Sequence, residues 1–435
     1  MQLLDLITIF IFALGIVIMG LSFSGKGRNM KSFFAAGGAV PWAMSGLSLF
    51  MGFFSAGTFV VWGSIAYSLG WIAISIQWTM AIAGFVVGFF IAPRWHKTSA
   101  LTVAEYITRR LGVNTQKTYT YLFLFISLFT TGSFLYPVAK IVEVSTGMPL
   151  DLCILLLGGF CIVYVAAGGL WAVVSTDVLQ FIILTAAVLI VVPLSFGRVG
   201  GVVNFIESIP ATYFNLVNGE YTIGFIIAFG VYNAIFLGGN WAYVQRYASV
   251  NSQSSARKVG FLFGGLYVVS AVLWMLPPMI YRIVNPSLST IDAEGAYLMM
   301  CKEVLPAGLL GLMLSGMVFA TASSLNATLN ISSGVVTNDI FKRLFPQSSD
   351  KTLMRVARIS TIIFGLLAII VALLIPLMGG IVNVVISVAA LTGVPLYLPI
   401  IWTLFSKRQT EYSVITTTLV SLGANAFFKF ITPLW

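Results

Sequence analysis

Residues 51–59 read MGFFSAGTF, three small residues (Gly52, Ser55 and Gly57) set into an apolar run long enough to lie inside a membrane. Glycine in a helix interior costs about 0.5–1 kcal/mol relative to alanine, because the unfolded backbone has more freedom to lose. The run is therefore predicted to be helical on both sides of an interruption. Residues 233–241, NAIFLGGNW, carry a second weak point at Gly238, Gly239 and Asn240. If the first apolar segment of the chain stands apart, each interruption falls in the first helix of a set of five. The two sets enter the membrane from opposite sides. Interrupted helices at matching positions of inverted repeats expose backbone carbonyls near mid-membrane, where they bind ions or solutes. Glycine used only for close helix packing is the plainer reading of either break alone.

Composition excludes a soluble protein. Of 435 residues, 59% are hydrophobic and only 8% charged, against roughly a quarter charged in soluble domains. Mean hydropathy is +1.00. At roughly 20 residues per span, the apolar stretches are read near 3–22, 42–66, 71–93, 118–145, 150–167, 172–197, 222–247, 259–282, 305–338, 357–377, 381–405 and 412–431. No Lys or Arg precedes the first span, whereas Lys26, Arg28 and Lys31 follow it. By the positive-inside rule both termini are expected outside. Arg94, Lys97, Arg109, Arg110, Lys117, Arg246, Arg257, Lys258, Lys342, Arg343, Lys351, Arg355, Arg358, Lys407 and Arg408 then share the cytoplasmic side. Against anionic headgroups this accounts for the net charge of +10 without a nucleic-acid partner.

The ninth span is the most polar. Between positions 320 and 333 it holds Thr321, Ser323, Ser324, Asn326, Thr328, Asn330, Ser332 and Ser333. Hydrocarbon offers such groups no partner, so these oxygens are expected to face an interior path and hold something small. Enzyme chemistry finds no support. His96 stands alone in a basic loop, where it is expected to be solvated; Cys153, Cys161 and Cys301 make no CxxC; no GxSxG, phosphate loop or HExxH occurs. The chain is read as not an enzyme and as needing no cofactor.

Residues 168–180, GGLWAVVSTDVLQ, resemble the signature of the solute:sodium symporter family, which includes proline, sodium/galactose and sialic acid transporters. The ninth span, with Ala320, Ser323, Ser324 and Leu325 leading to NDIF at 338–341, resembles that family's eighth core helix. GLSLF at 46–50 resembles the opening of its first. The resemblance covers roughly residues 30–430. It implies an all-α polytopic fold of about twelve spans, with a leucine-transporter-like five-plus-five inverted repeat preceded by one extra helix. As one transmembrane domain over 1–435, it would divide into a peripheral first helix and loop (1–40), a ten-helix core (41–405) and a peripheral last helix (406–435). Family members generally continue for at least one span more.

Carried over position by position, the resemblance implies a sodium site built from the carbonyls of Met51, Phe54 and Ala320 and the hydroxyls of Ser323 and Ser324. Neutral oxygens of this kind suit a hard monovalent cation. Asp177 and Asn326 would belong to a second sodium site, although Ala327 supplies no hydroxyl where that pattern wants one. Asp177 also reads as an acid interacting with its helix's dipole. Thr58, Gln77, Asn233 and Ser387 would line the solute site, Phe236 would stand at a gate, and Trp78 could stack on a ring. Lys140 and Glu143, spaced i,i+3, are expected to pair or snorkel, with Lys140 also open to a solute carboxylate. The expected activity is sodium-coupled symport, by alternating access, of a sugar, a sugar acid such as sialic acid, or an amino acid. The alternative is a transporter-like sensor without net transport. The expected partners are Na+, the solute and the lipid of an inner (plasma) membrane, with the chain a monomer or weak homo-oligomer.

Overall fold

A computed structural model describes residues 2–24, 40–100, 102–165 and 170–431. Helices and the turns that join them make up these residues, with no strand among them. Helix α1 (Leu3–Ser24) comes first. The first interruption then separates α2 (Trp42–Met51) from α3 (Thr58–Leu69), whose opening turn is a π-helix. The first half continues with α4 (Trp71–Lys97), α5 (Val103–Leu111), α6 (Val113–Thr146), α7 (Leu150–Val165) and α8 (Leu170–Arg198). A short α9 (Val202–Ser208) leads to α10 (Ile223–Gly239) and α11 (Trp241–Ala248), which meet at 59° across the second interruption. After them come α12 (Gln253–Val284), the small α13 (Thr290–Ala293) and α14 (Ala296–Val304), and α15 (Leu309–Val335), prolonged by a π-turn over Val336–Phe341. Helices α16 (Asp350–Met378), α17 (Ile381–Thr403) and α18 (Glu411–Phe430) complete the chain.

Among the described residues, six helices are long and apolar enough to cross a membrane, seven if α10 and α11 form one bent span. Shorter apolar stretches lie in α1, α2, α3, α7 and α15. The final span expected at 412–431 coincides with α18, which is not among the six; Thr416, Thr417, Thr418, Ser421 and Asn425 dilute its apolar run. Lys26, Arg28 and Lys31 lie outside the described residues.

Reciprocal glycine contacts relate the two halves. On α4 and α12, a Cβ at Gly84 would sit 2.8 Å from the Gly264 backbone, and one at Gly260 would sit 2.5 Å from Gly88 Cα. As one number rises the other falls, so these second helices of the two sets cross antiparallel. The fourth helices repeat the device. A Cβ at Gly158 of α7 would strike Ile369 at 2.5 Å, and one at Gly365 of α16 would strike Ile162 at 2.3 Å. Small residues let helix backbones approach where apolar lipid gives no hydrophobic drive to association. Gly260→Ala should therefore lower stability by about 1–3 kcal/mol, since backbone cannot yield as a side chain does. Thermal unfolding in detergent checks this against Gly265→Ala, whose Cβ meets nothing within 4 Å.

The outlying helices are pinned to the core. Asp5 of α1 accepts from the Gly308 and Gly311 amides at 2.7 and 3.1 Å, capping the N-terminal end of α15. Tyr119 of α6 and Thr418 of α18 share a hydrogen bond of 2.5 Å.

Candidate solute and sodium site

Between α2 and α3 the backbone leaves the helix and passes through tight turns. The amides of Gly52 and Phe53 donate to Leu49 and Phe50 at 3.2 and 2.9 Å, and Thr58 N–H donates to Ser55 at 3.0 Å. The Thr58 hydroxyl donates to the Phe53 carbonyl. The carbonyls of Met51 and Phe54 take none of these bonds, and both residues are buried. Opposite them stands α15. Thr321 Oγ1 accepts the Ala56 amide at 3.0 Å while donating to the Met317 carbonyl at 2.9 Å. Ala320, beside it, is fully buried, and Ser324, one turn on, lines a narrow cavity with Ser48, Leu49 and Gly52. The face of α15 that carries 320, 321 and 324 is thus turned to the break. The side chains of Ser323 and Asn326 lie outside the described part of the structure.

The same narrow cavity is lined by two buried opposite charges, Asp177 and Arg246, bridged by the Ser48 hydroxyl. Ser48 Oγ donates to Asp177 Oδ2 at 2.5 Å and accepts from Arg246 Nε at 3.0 Å. Ser45 Oγ donates to the Arg246 carbonyl at 2.8 Å. Arg246, counted above with the cytoplasmic loop charges, is only 5% exposed. The reason is its counter-charge: a guanidinium leaves water when a carboxylate and further hydrogen bonds meet it. Nor is Asp177 a first-turn acid, because α8 begins at Leu170.

A separate central cavity of about 150 Å³ gathers Thr58, Gln77, Asn233 and Phe236. Asn233 Nδ2 donates to Thr79 Oγ1 at 2.8 Å, which leaves its carbonyl oxygen for another partner. Gln77 Nε2 is buried with no hydrogen-bond partner. No Asp, Glu, Lys or Arg lines this cavity among the described residues. Phe236 borders both cavities and stacks on Tyr232, centroids 5.6 Å apart.

Three expected placements change. Ser387 does not join the cavity: its hydroxyl bonds back to the Asn383 carbonyl at 2.7 Å, and α17 turns Val385, Val388 and Ala389 inward instead. A serine inside a helix satisfies itself on the preceding turn, and the register does the rest. Trp78 donates to the Val268 carbonyl at 3.1 Å, so Trp62 is the indole at the cavity. His96 is not simply solvated but bonds to the Val250 carbonyl at 3.0 Å. Lys140 and Glu143 do pair, at 2.9 Å. Sequence reasoning missed Ser48 and Arg246 as partners of Asp177, and Thr321 as the acceptor for the break's Ala56 amide. Thr321 at least lay within the hydroxyl-rich stretch.

The model of the Sodium:solute symporter family matches residues 33–420. The chain belongs to this family. It is a multi-pass membrane protein carrying out sodium-coupled symport of a small-molecule solute, and its family is one of transporters rather than enzymes. It is 28% identical to a sodium/glucose cotransporter of Vibrio parahaemolyticus, over 98% of this chain and 86% of that protein. With sodium/glucose cotransporter 1 of Mus musculus it shares 25% identity over 94% of this chain and 68% of the relative. Among solved structures, a sodium-coupled sialic acid symporter in a substrate-bound outward-open state matches with a TM-score of 0.75 at 21% identity, covering 100% of this chain and 98% of the other. A nucleobase-cation-symport-1 family transporter matches with a TM-score of 0.51 at 14% identity, over 91% and 94% of the two chains. The fold is the leucine-transporter-like inverted repeat that the family resemblance implied.

Proposed function

We propose that the chain imports an uncharged, hydroxyl- or amide-bearing small solute together with one sodium ion. The carbonyls of Met51, Phe54 and Ala320 and the hydroxyls of Ser323 and Ser324 hold the ion. The observation that carries this reading is the Ala56–Thr321 hydrogen bond, which fastens the break to α15 one turn from Ser324. Thr58, Gln77 and Asn233 meet the solute, and Phe236 separates it from the path below. A charge moved into such a cavity without a counter-ion costs several kcal/mol; this favours a neutral sugar or polyol over a sugar acid or an amino acid. Asp177 is engaged by Ser48 and faces Arg246, so it is read as half of an internal ion pair rather than a ligand of a second sodium.

We propose the same division as the sequence suggested: 41–405 as the transporting core, 1–40 and 406–435 as outlying segments. Localisation is the inner (plasma) membrane with both termini outside, as a monomer or weak homo-oligomer.

One ion supplies enough drive. A tenfold gradient contributes about 1.4 kcal/mol and about 100 mV adds about 2.3 kcal/mol. Together they sustain roughly several-hundredfold accumulation of a neutral solute. With sodium bound, α15 is held against the break and the pocket beside Thr58 and Gln77 is ordered. When sodium leaves inward, the two part and the solute follows.

Uptake into proteoliposomes of a panel of neutral sugars, polyols, sialic acid and amino acids, in sodium against choline, tests the reading. Sodium-dependent accumulation confined to neutral solutes supports it; sodium-driven uptake of sialic acid or an amino acid alone overturns the solute class. Absence of any accumulation favours a sensor. Gln77→Leu should raise the solute KM roughly five- to thirtyfold, the loss of about 1–2 kcal/mol of polar contact, with little change in sodium dependence at saturating solute.

A further inference from the structure

A buried acid at the opposite end of the molecule from the Asp177–Arg246 pair has no place in the account so far. Glu294 lies between α13 and α14 and is only 5% exposed. Three elements converge on it. Tyr136 of α6 donates its hydroxyl to Glu294 Oε2 at 3.2 Å. Lys140, one turn further along α6 and paired with Glu143, faces it as a nearby positive charge. From α17, the Ile381 amide faces the carboxylate and favours its charged form. Gly380, at φ +89°, allows the approach: a Cβ there would lie 3.2 Å from Glu294 Oε1.

The position is telling. Tyr136 is three residues from Ser133, and Ile381 four from Val385, and both of those line the central cavity. At about 1.5 Å per helical residue, the carboxylate sits roughly one turn outward of the solute site. Helix α14 closes the same side, with Tyr297 packed on Phe59 of α3 at 4.3 Å between centroids and Lys302 Nζ bonded to the Val144 carbonyl at 3.1 Å. Towards the other end, the central cavity and the narrow one share Gly52, Thr130, Phe134, Phe236 and Tyr243. The path is therefore stoppered at the end where Glu294 sits.

We propose that Glu294 latches the outer gate, binding the α13–α14 segment to α6 and to the first turn of α17, so that solute enters only when this carboxylate leaves the Ile381 amide. The assignment rests on the outward orientation and transport reading given above. Glu294 acts as a positioning residue and touches no solute.

Burial pushes the Glu294 carboxyl above the ordinary carboxylate range, with Lys140, the Ile381 amide and the Tyr136 hydroxyl acting against the shift and Glu143 adding to it. Among the described residues the titratable groups that act on it are Tyr136, Lys140 and Glu143, all on α6, and α17 presents a backbone amide. In an opened mouth Glu294 returns to water and to its usual value. Protonation therefore favours the closed form, and acid should close the gate rather than open it.

The test places spin labels on Ile291→Cys of α13 and Asn383→Cys of α17, both exposed, in a background with Cys153, Cys161 and Cys301 replaced by alanine. Pulsed electron resonance then reads the distance across the gate. E294A and Y136F should each enlarge the long-distance population, by roughly fivefold or more. Going from about pH 8 to about pH 5 should shrink that population in the parent and leave it unchanged in E294A. Y136F keeps the carboxylate and so decides the matter if E294A fails to fold. Distances that ignore both substitutions overturn the latch. Sodium-dependent uptake by the parent, measured separately, shows whether the transport reading has failed instead.

Discussion

Replacing Ser324 by alanine should raise the sodium concentration for half-maximal uptake about ten- to hundredfold. A hydrogen-bonding group directed at a charge contributes about 1.5–3 kcal/mol, and each 1.4 kcal/mol is about a factor of ten. Expression should be little altered, because the hydroxyl makes only a 3.5 Å contact to the Ala320 carbonyl within its own helix. The solute KM measured at saturating sodium should stay near the parent value, since Ser324 lines the narrow cavity and not the central one. Thr321→Val serves as the companion. It removes the acceptor for Ala56 N–H, so it should weaken sodium dependence through the break rather than through a lost ligand. Uptake kinetics over a sodium series at constant ionic strength separate the two. A Ser324→Ala protein with unchanged sodium dependence contradicts the ligand assignment.

The second large effect is expected at the internal ion pair. Arg246→Gln leaves Asp177 buried and without its full positive counterpart. Breaking such a pair from one side costs about 3–5 kcal/mol, whereas removing both charges together is often close to neutral. Arg246→Gln alone should therefore lose most folded protein at the membrane, and so should Asp177→Gln. The double variant should recover a large part of the loss. Thermal unfolding of the purified variants gives the coupling energy directly. Additive losses with no recovery would mean that the two charges do not depend on each other. Ser48→Ala removes the hydroxyl between them and should produce a smaller, separately measurable loss.

How legible this was in the sequence depended on how local each signal is. The two breaks could be read because glycine's cost is a property of the residue itself: α2 ends at Met51 and α10 at Gly239, at the points the small residues marked. The Lys140–Glu143 pair was visible for the same reason, its partners being three residues apart on one helix. What escaped notice required knowledge of which helices touch. Ser48 and Asp177 are 129 positions apart, and Ser48 and Arg246 are 198 apart. A charge count places Arg246 in a loop, since nothing near it in sequence announces a buried acid. Ser387 failed differently: its helix was correctly located, but which face of α17 meets the cavity is a matter of rotation, and apolar residues surround it on every side. Glu294 had no motif, and its surroundings come from the meeting of Tyr136 on α6 with the first turn of α17. The strongest motif, at 168–180, is only partly described in the structure, so the resemblance it carries and the geometry bear on the family independently.

Sodium binding can be tested without knowing the solute. The purified protein in detergent, heated at fixed ionic strength in sodium against choline, should unfold at a higher temperature in sodium, with the rise growing with concentration as ligand linkage requires. Ser324→Ala should need far more sodium for the same rise. An unfolding temperature that does not distinguish sodium from choline, in parent and variant alike, would contradict the claim that the break and α15 together hold the coupling ion.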